Sequence, residues 1–305
     1  MRIPPIKSFL PFLLCLFFSI HLAAQLPESE VWLFSFTEQS GNYTFTDGKN
    51  ISNHKGYDNQ PFFSNDGLWM LFTSEQDSGQ TDIFQYNIKL GQSNKFTNSS
   101  ESEYSPEYFS TDNSFSDVVV EKDSTQRLWK YSYHPDYAYP QSTILFPDVK
   151  NVAYSRWFND SIVFLCLLPE PMHLVVANVN TQKVSKCAKD VNRSMAVYHR
   201  NNNNNLFLYS QMQVDSTWEI AALSSFGNPD LDFMPVPFLE GSQDFAVDNN
   251  DNLFMASGTK LYFWKIGKSK TWKPIADFKE NGLTNISRIA ISPDGKHIAL
   301  TDNLK

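Results

Sequence analysis

The sequence has 305 residues, of which 41% are hydrophobic, 15% aromatic and 19% charged, and its formal net charge is −8. This balance supports a packed core and excludes disorder along the whole chain. An acidic chain with no basic stretch repels nucleic acid and anionic lipid, which sets nucleic-acid binding aside.

The first element in the chain is a leader. Arg2 and Lys7 make a positive start, residues 9–20 form an apolar run, and Leu22-Ala23-Ala24 supplies small residues for cleavage before Gln25. The run is short for a membrane span and contains Pro11, and no second run of spanning length follows. Cys15 lies inside the run, with Leu13 and Leu14 before it, and not after a small residue at its end, so no lipid anchor is expected. Residues 1–24 are therefore expected to be a signal peptide and residues 25–305 a single domain, periplasmic or secreted, with no stable membrane span after cleavage. Loss of Arg2 and Lys7 makes that domain more acidic still.

Two strands follow the leader, Val31-Trp32-Leu33-Phe34-Ser35-Phe36 and Tyr43-Thr44-Phe45-Thr46. After them a cassette of apolar strand, tight polar turn and apolar strand recurs. Its turns are marked by Asp66, Asp112, Asp160, Asp251 and Asp294, which are spaced 46, 48, 91 and 43 residues apart. The long interval holds a further turn at residues 201–205, between Met195-Ala196-Val197-Tyr198 and Leu206-Phe207-Leu208-Tyr209. Six units of about 40–50 residues is the period of four-stranded propeller blades. Asp294 and Gly295 after Pro293 have the chemistry such a turn requires: a fixed φ, a side chain that bonds its own backbone, and a residue free to take positive φ. Third strands are expected at Asp82–Tyr86, Arg127–Tyr131, His173–Ala177, Trp218–Ala222 and Leu261–Lys265, each with a fourth strand after a short turn. Only two strands fit between Ile286 and Asn303, so the two N-terminal strands are expected to complete that last blade and remove free sheet edges. The expected fold is all-β: a six-bladed propeller of four-stranded antiparallel blades. Cys166 and Cys187 fall on the second and fourth strands of one blade, too far apart for a disulfide, and are expected to be buried thiols.

The run Gln60-Pro61-Phe62-Phe63-Ser64-Asn65-Asp66-Gly67, followed by Leu71-Phe72-Thr73-Ser74 and Asp82-Ile83-Phe84, resembles the TolB-like, WD-repeat-like propeller repeat of the bacterial envelope. Thr97-Asn98-Ser99, Tyr104-Ser105-Pro106 and Ser292-Pro293-Asp294-Gly295-Lys296 match the same repeat. The resemblance implies a non-enzymatic platform that binds a protein, or a glycan or peptide, in the envelope or outside the cell. The additional N-terminal α/β domain of TolB is not expected here, nor is a fused OmpA-like or peptidase domain.

Motifs for chemistry are scarce. No Gly-x-Ser-x-Gly occurs, and His54, His134, His173, His199 and His297 form no zinc pattern. No metal or cofactor is expected. The alternative is a metal-dependent hydrolase: residues 289–303 also resemble the last blade of gluconolactonase-like propellers, which hold a divalent metal in the central channel, although no matching Glu can be placed in the first blade. Loops on a rigid scaffold carry most binding, so the expected binding residues are those of the inter-blade links: Tyr57, Asp58, Glu103, Tyr104, Asp148, Arg193 and Asp244.

Overall fold

A computed structural model describes residues 26–304, except 40, 77–78, 110–113, 134–135, 137 and 201–203. The leader, Asp112, His134 and most of the Asn run at 201–205 lie outside the described residues. In chain order the strands are β1 (Ser29–Gln39), β2 (Asn42–Asn50), β3 (Asp58–Phe63), β4 (Trp69–Gln76), β5 (Gln80–Asn87), β6 (Gln92–Lys95), β7 (Ser102–Tyr108) and β8 (Phe115–Val120). They continue with β9 (Gln126–Ser132), β10 (Gln141–Ile144), β11 (Val152–Asn159), β12 (Ile162–Leu167), β13 (Met172–Asn178), β14 (Val184–Tyr198), β15 (Leu206–Met212) and β16 (Trp218–Leu223). The last are β17 (Val236–Pro237), β18 (Phe245–Val247), β19 (Asn252–Ser257), β20 (Lys260–Lys265), β21 (Lys273–Asp277), β22 (Ile286–Ile291) and β23 (His297–Asn303). No helix among the described residues is long and apolar enough to cross a membrane.

The cassette becomes an antiparallel meander. Three four-stranded sheets run β3-β4-β5-β6, β7-β8-β9-β10 and β18-β19-β20-β21. A fourth has the order β2-β1-β23-β22, in which Ser29–Ser35 pair with Asn303–His297, the N-terminal strands lying against the last strand of the chain. The remaining sheet has seven strands, β11 to β17, because β14 is one unbroken strand of 15 residues. The repeat in the sequence predicts two strands here, the outer strand of one unit and the inner strand of the next. No Gly or Pro interrupts it, and the chain turns the corner by a register shift between Val191 and Met195. The corner is sharp. Phe164 on β12 and Phe207 on β15 are three strands apart, about 14 Å on a flat sheet, yet their rings stack 3.7 Å apart. The two halves of this sheet therefore pack face to face. β17 is only two residues long and pairs with Glu219 and Ile220 across a long connection, where the sequence suggested a short turn.

Burial follows position within each meander. Second strands are buried on both faces: Met70–Ser74, Phe115–Val119, Val163–Cys166, Leu206–Ser210, Asn252–Ala256 and Ile298–Asp302. Both faces are covered because each sheet is sandwiched between neighbours, which explains the predominance of apolar residues in these segments. Fourth strands such as Gln92–Lys95 and Gln141–Ile144 are mostly exposed. Cys166 and Cys187 are free thiols, Cys166 buried on β12 and Cys187 half-buried on β14.

One glycine holds the N-terminal strand in place. Gly56 has φ +135, its carbonyl accepts the Ser29 amide at 3.0 Å, and a Cβ there would lie 2.6 Å from the Glu75 carbonyl oxygen. A backbone oxygen cannot rotate away. Gly56→Ala is expected to destabilise the protein by about 1–3 kcal/mol, read as a lowered urea midpoint; an unchanged midpoint would contradict this account.

Candidate functional site

The first strands of the meanders surround a cavity of about 450 Å³. Its lining residues come from β3, β7, β11, β14, β18 and β22 and from the turns that follow them. Asn65, Asp160, His199, Asn249 and Pro293 lie on those turns at one end. Gln60, Ser105, Tyr154, Arg193, Asp244 and Arg288 lie toward the other end.

This inner layer is built by β-bulges. Register shifts fall between Asn59 and Phe62, Tyr104 and Glu107, Val152 and Tyr154, Val191 and Met195, and Ile286 and Arg288. A bulge inserts a residue and re-aims the side chains around it. Gln60 (φ 59) and Ser105 (φ 53) take left-handed conformations in their bulges, a strain that non-glycine residues accept only when surrounding structure enforces it.

Hydrogen bonds from one first strand to another lock the layer. The Gln60 side-chain oxygen accepts the Ser105 amide at 2.8 Å and the Thr73 hydroxyl at 2.9 Å. Glu107 accepts the Trp157 amide at 3.0 Å, and Asp244 accepts the Phe245 amide at 3.0 Å and the Ile289 amide at 3.4 Å. Arg193 donates to the Gln243 side chain at 3.1 Å and the Ser287 carbonyl at 2.9 Å. At the turns, Asn65 donates to the Phe109 carbonyl and Asn249 to that of Pro293.

Three arginines line this cavity in an acidic protein. Arg156 lies 3.7 Å from Glu107 and over the Phe62 ring. Arg288 lies over the Tyr154 ring at 5.3 Å. Burial, then the Arg288 cation, push the Arg193 guanidinium below its usual range. Burial also works against the Arg288 cation, but Tyr154, Tyr57 and Asp244 outweigh it and hold that group above its usual range. Burial raises the Glu107 carboxyl to about 7 despite Arg156 and the Trp157 amide.

The expected site residues divide into four groups. Arg193 and Asp244 line the cavity. Tyr57 and Tyr104 are a packed pair, ring centroids 6.3 Å apart, and burial raises the Tyr57 phenol to about 12. Asp58 and Glu103 lie in strands, not open links, and both are fully buried. Asp58 lies 3.2 Å from His54, while Glu103 accepts from Ser99, Thr97 and Tyr131. Asp148 is exposed in the connection before β11. The structure adds Gln60, Ser105, Glu107, Tyr154, Arg156 and Arg288, which sequence reasoning did not single out.

No protein-family model and no curated protein match the sequence. Solved structures match the shape. A protein described as TolB from Agrobacterium tumefaciens aligns over 92% of this chain and 99% of its own, with a TM-score of 0.62 at 8% identity. A gluconolactonase from Xanthomonas campestris aligns over the same shares, with a TM-score of 0.60 at 9% identity. TolB from Acinetobacter baumannii aligns over 64% of this chain and only 49% of its own, with a TM-score of 0.50 at 16% identity. The fold is a TolB-like β-propeller. Such identities establish the architecture alone, and in that architecture the cavity between the first strands is the propeller's central channel.

Proposed function

We propose that this chain is a non-enzymatic propeller that acts as a protein- or ligand-binding scaffold in the periplasm or outside the cell. Its folded seven-stranded sheet counts as two blades, which makes six in all, and the pairing of β1 with β23 closes the ring. The observation that carries the proposal is the channel: its polar lining is held by hydrogen bonds from one first strand to another, which favours recognition by pre-formed groups. The overlap with TolB structures supports the same reading.

The gluconolactonase neighbour, aligned over 92% of this chain, favours a second reading, a metal-dependent hydrolase with its metal in the channel. That chemistry needs convergent donors. Among the described residues no three of His, Cys, Asp and Glu converge; of the four carboxylates lining the channel, Glu107 and Asp244 accept amides of the first strands and Asp248 accepts amides of its own turn.

One experiment separates the two. A photoreactive phenylalanine analogue at His199 or Asn249, on the channel mouth, is expected to crosslink one discrete periplasmic or extracellular partner in the native host. The same analogue at Lys273, on an outer strand, is expected to capture none. Calcium-dependent hydrolysis of gluconolactone by the purified protein, or crosslinking from Lys273 alone, would overturn the scaffold reading.

A further inference from the structure

Part of the channel's inner layer holds buried donors that meet no acceptor. Among the described residues, four buried polar atoms in its lining have no hydrogen-bond partner: Nε of Arg193, Nε of Arg288, and the hydroxyl oxygens of Ser105 and Ser155. Each of the four can donate. An unmade hydrogen bond at a buried donor costs about 1–3 kcal/mol, so this concentration at one place in the fold needs a reason.

The charge balance points the same way. Arg193 and Arg288 are near enough to repel each other, and neither has a carboxylate within ion-pair distance among the described residues. The nearest acidic group from the adjoining strands, Asp244, has its oxygens turned to the Phe245 and Ile289 amides. Glu107, on β7, serves Arg156 and the Trp157 amide. Tyr57 and Tyr154 face the two cations from β3's approach and from β11, and they offer ring faces and phenol groups. Two fixed guanidinium groups, flanked by rings and hydroxyls and short of negative charge, fit an oxyanion, because a planar guanidinium presents paired N–H donors that match carboxylate and phosphate oxygens.

We infer that Arg193 and Arg288, with Tyr154, Ser105 and Ser155 around them, form a binding site in the channel for a small organic anion bearing a carboxylate or phosphate. The site rests on the scaffold reading and specifies its ligand chemistry. A cavity of about 450 Å³ accommodates a molecule of metabolite size and not a bare ion alone.

The test is calorimetric titration of the purified protein at low ionic strength, with inorganic phosphate in one arm and citrate or benzoate in the other. Saturable one-to-one binding is expected in at least one arm, and the arm that responds assigns phosphate or carboxylate. Arg288→Gln and Arg193→Gln should each weaken binding about tenfold or more. Arg288→Lys, which keeps the charge but loses the fork, should lie between. Arg127→Gln, far out on β9 and paired with Glu121, should bind as the unaltered protein does. Should the glutamine variants fail to fold, the unaltered protein still decides: saturating anion should protect Arg193 and Arg288, but not Arg127, from phenylglyoxal, mapped by mass spectrometry. No saturable binding in either arm, binding undiminished in the variants, or equal modification of all three arginines would overturn the site. Crosslinking from the channel mouth is a separate readout, so either result can fail while the other stands.

Discussion

Phe164→Ala is expected to destabilise the protein by about 3–5 kcal/mol, the cost of emptying a large aromatic site in a closed core. Phe164 is fully buried, stacks on Phe207 at 3.7 Å with the rings 13° from parallel, and sits among Cys166, Met172, Leu174, Val191 and Leu223. Those neighbours belong to strands held by hydrogen bonds on both sides, so they cannot collapse into the space. The stack is also where the two halves of the seven-stranded sheet face each other. A net stability of about 5–15 kcal/mol is usual for a folded domain, so the loss is a large share of what holds the chain folded. Phe158→Ala removes the same side chain at a half-buried position 6.4 Å away and should cost much less. Urea midpoints measure both. A double-mutant cycle with Phe207→Ala should give a coupling of about 0.5–1.5 kcal/mol. A cost near that of Phe158→Ala, or strict additivity with Phe207→Ala, would mean the two halves do not pack as described.

Much of this architecture was legible because the cassette repeats. Every first, second and third strand proposed from the sequence lies in a strand, as with Leu206–Tyr209 in β15 and Leu261–Lys265 in β20. Apolar runs and turn residues are local signals, and local signals survive in a single sequence. What the sequence hid is set by pairing. The corner in β14 depends on a bulge, and the short β17 depends on what Glu219 and Ile220 find opposite them, so neither has a composition of its own.

The candidate site was legible only in part, for the same reason. Of the residues chosen for their place in the links, Arg193 and Asp244 line the channel, whereas Asp58 and Glu103 are fully buried. The distinguishing signal was present. Gln60, Asp244 and Arg288 each stand four residues before Ser64, Asp248 and Ser292, the residues that open their turns, and each is a polar residue introducing an otherwise apolar strand. Comparing equivalent cassette positions would have placed these three on one level of the channel. The bulges that turn them inward become visible only once the strands are paired.

The protein is expected to be more stable at pH 5 than at pH 8, by several kcal/mol. Four buried carboxyls carry the argument. Burial raises Asp58 to about 6, against the lowering influence of Ser74 and His54, and raises Glu107 to about 7. It lifts Glu103 as well, and it lifts Asp117 well above the usual carboxylate range, with Glu103 adding repulsion. Among the described residues, neither oxygen of Asp117 has a hydrogen-bond partner. In the unfolded chain these groups lose their protons near pH 4, whereas the folded state retains them to higher pH. The folded state therefore binds more protons through this window, so its stability is greatest below about pH 4 as far as these groups are concerned and is lost as pH rises through their folded values. Glu107 alone, moved from 4.5 to about 7, accounts for about 3 kcal/mol. Exposed carboxyls held low by hydrogen bonds, such as Asp123 and Asp277, work in the opposite direction but are screened by solvent. Asp117→Asn separates this account from a general charge effect. At pH 5, nearer the range where burial keeps the aspartate neutral, the two proteins should differ least. At pH 8 only the aspartate is under pressure to ionise inside the core, so the asparagine variant should be the more stable and its pH dependence shallower. Urea midpoints at pH 5, 6.5 and 8 decide the matter: a profile that is flat or rises with pH, or an Asp117→Asn variant with the slope of the unaltered protein, would show that these carboxyls are not held as the structure implies.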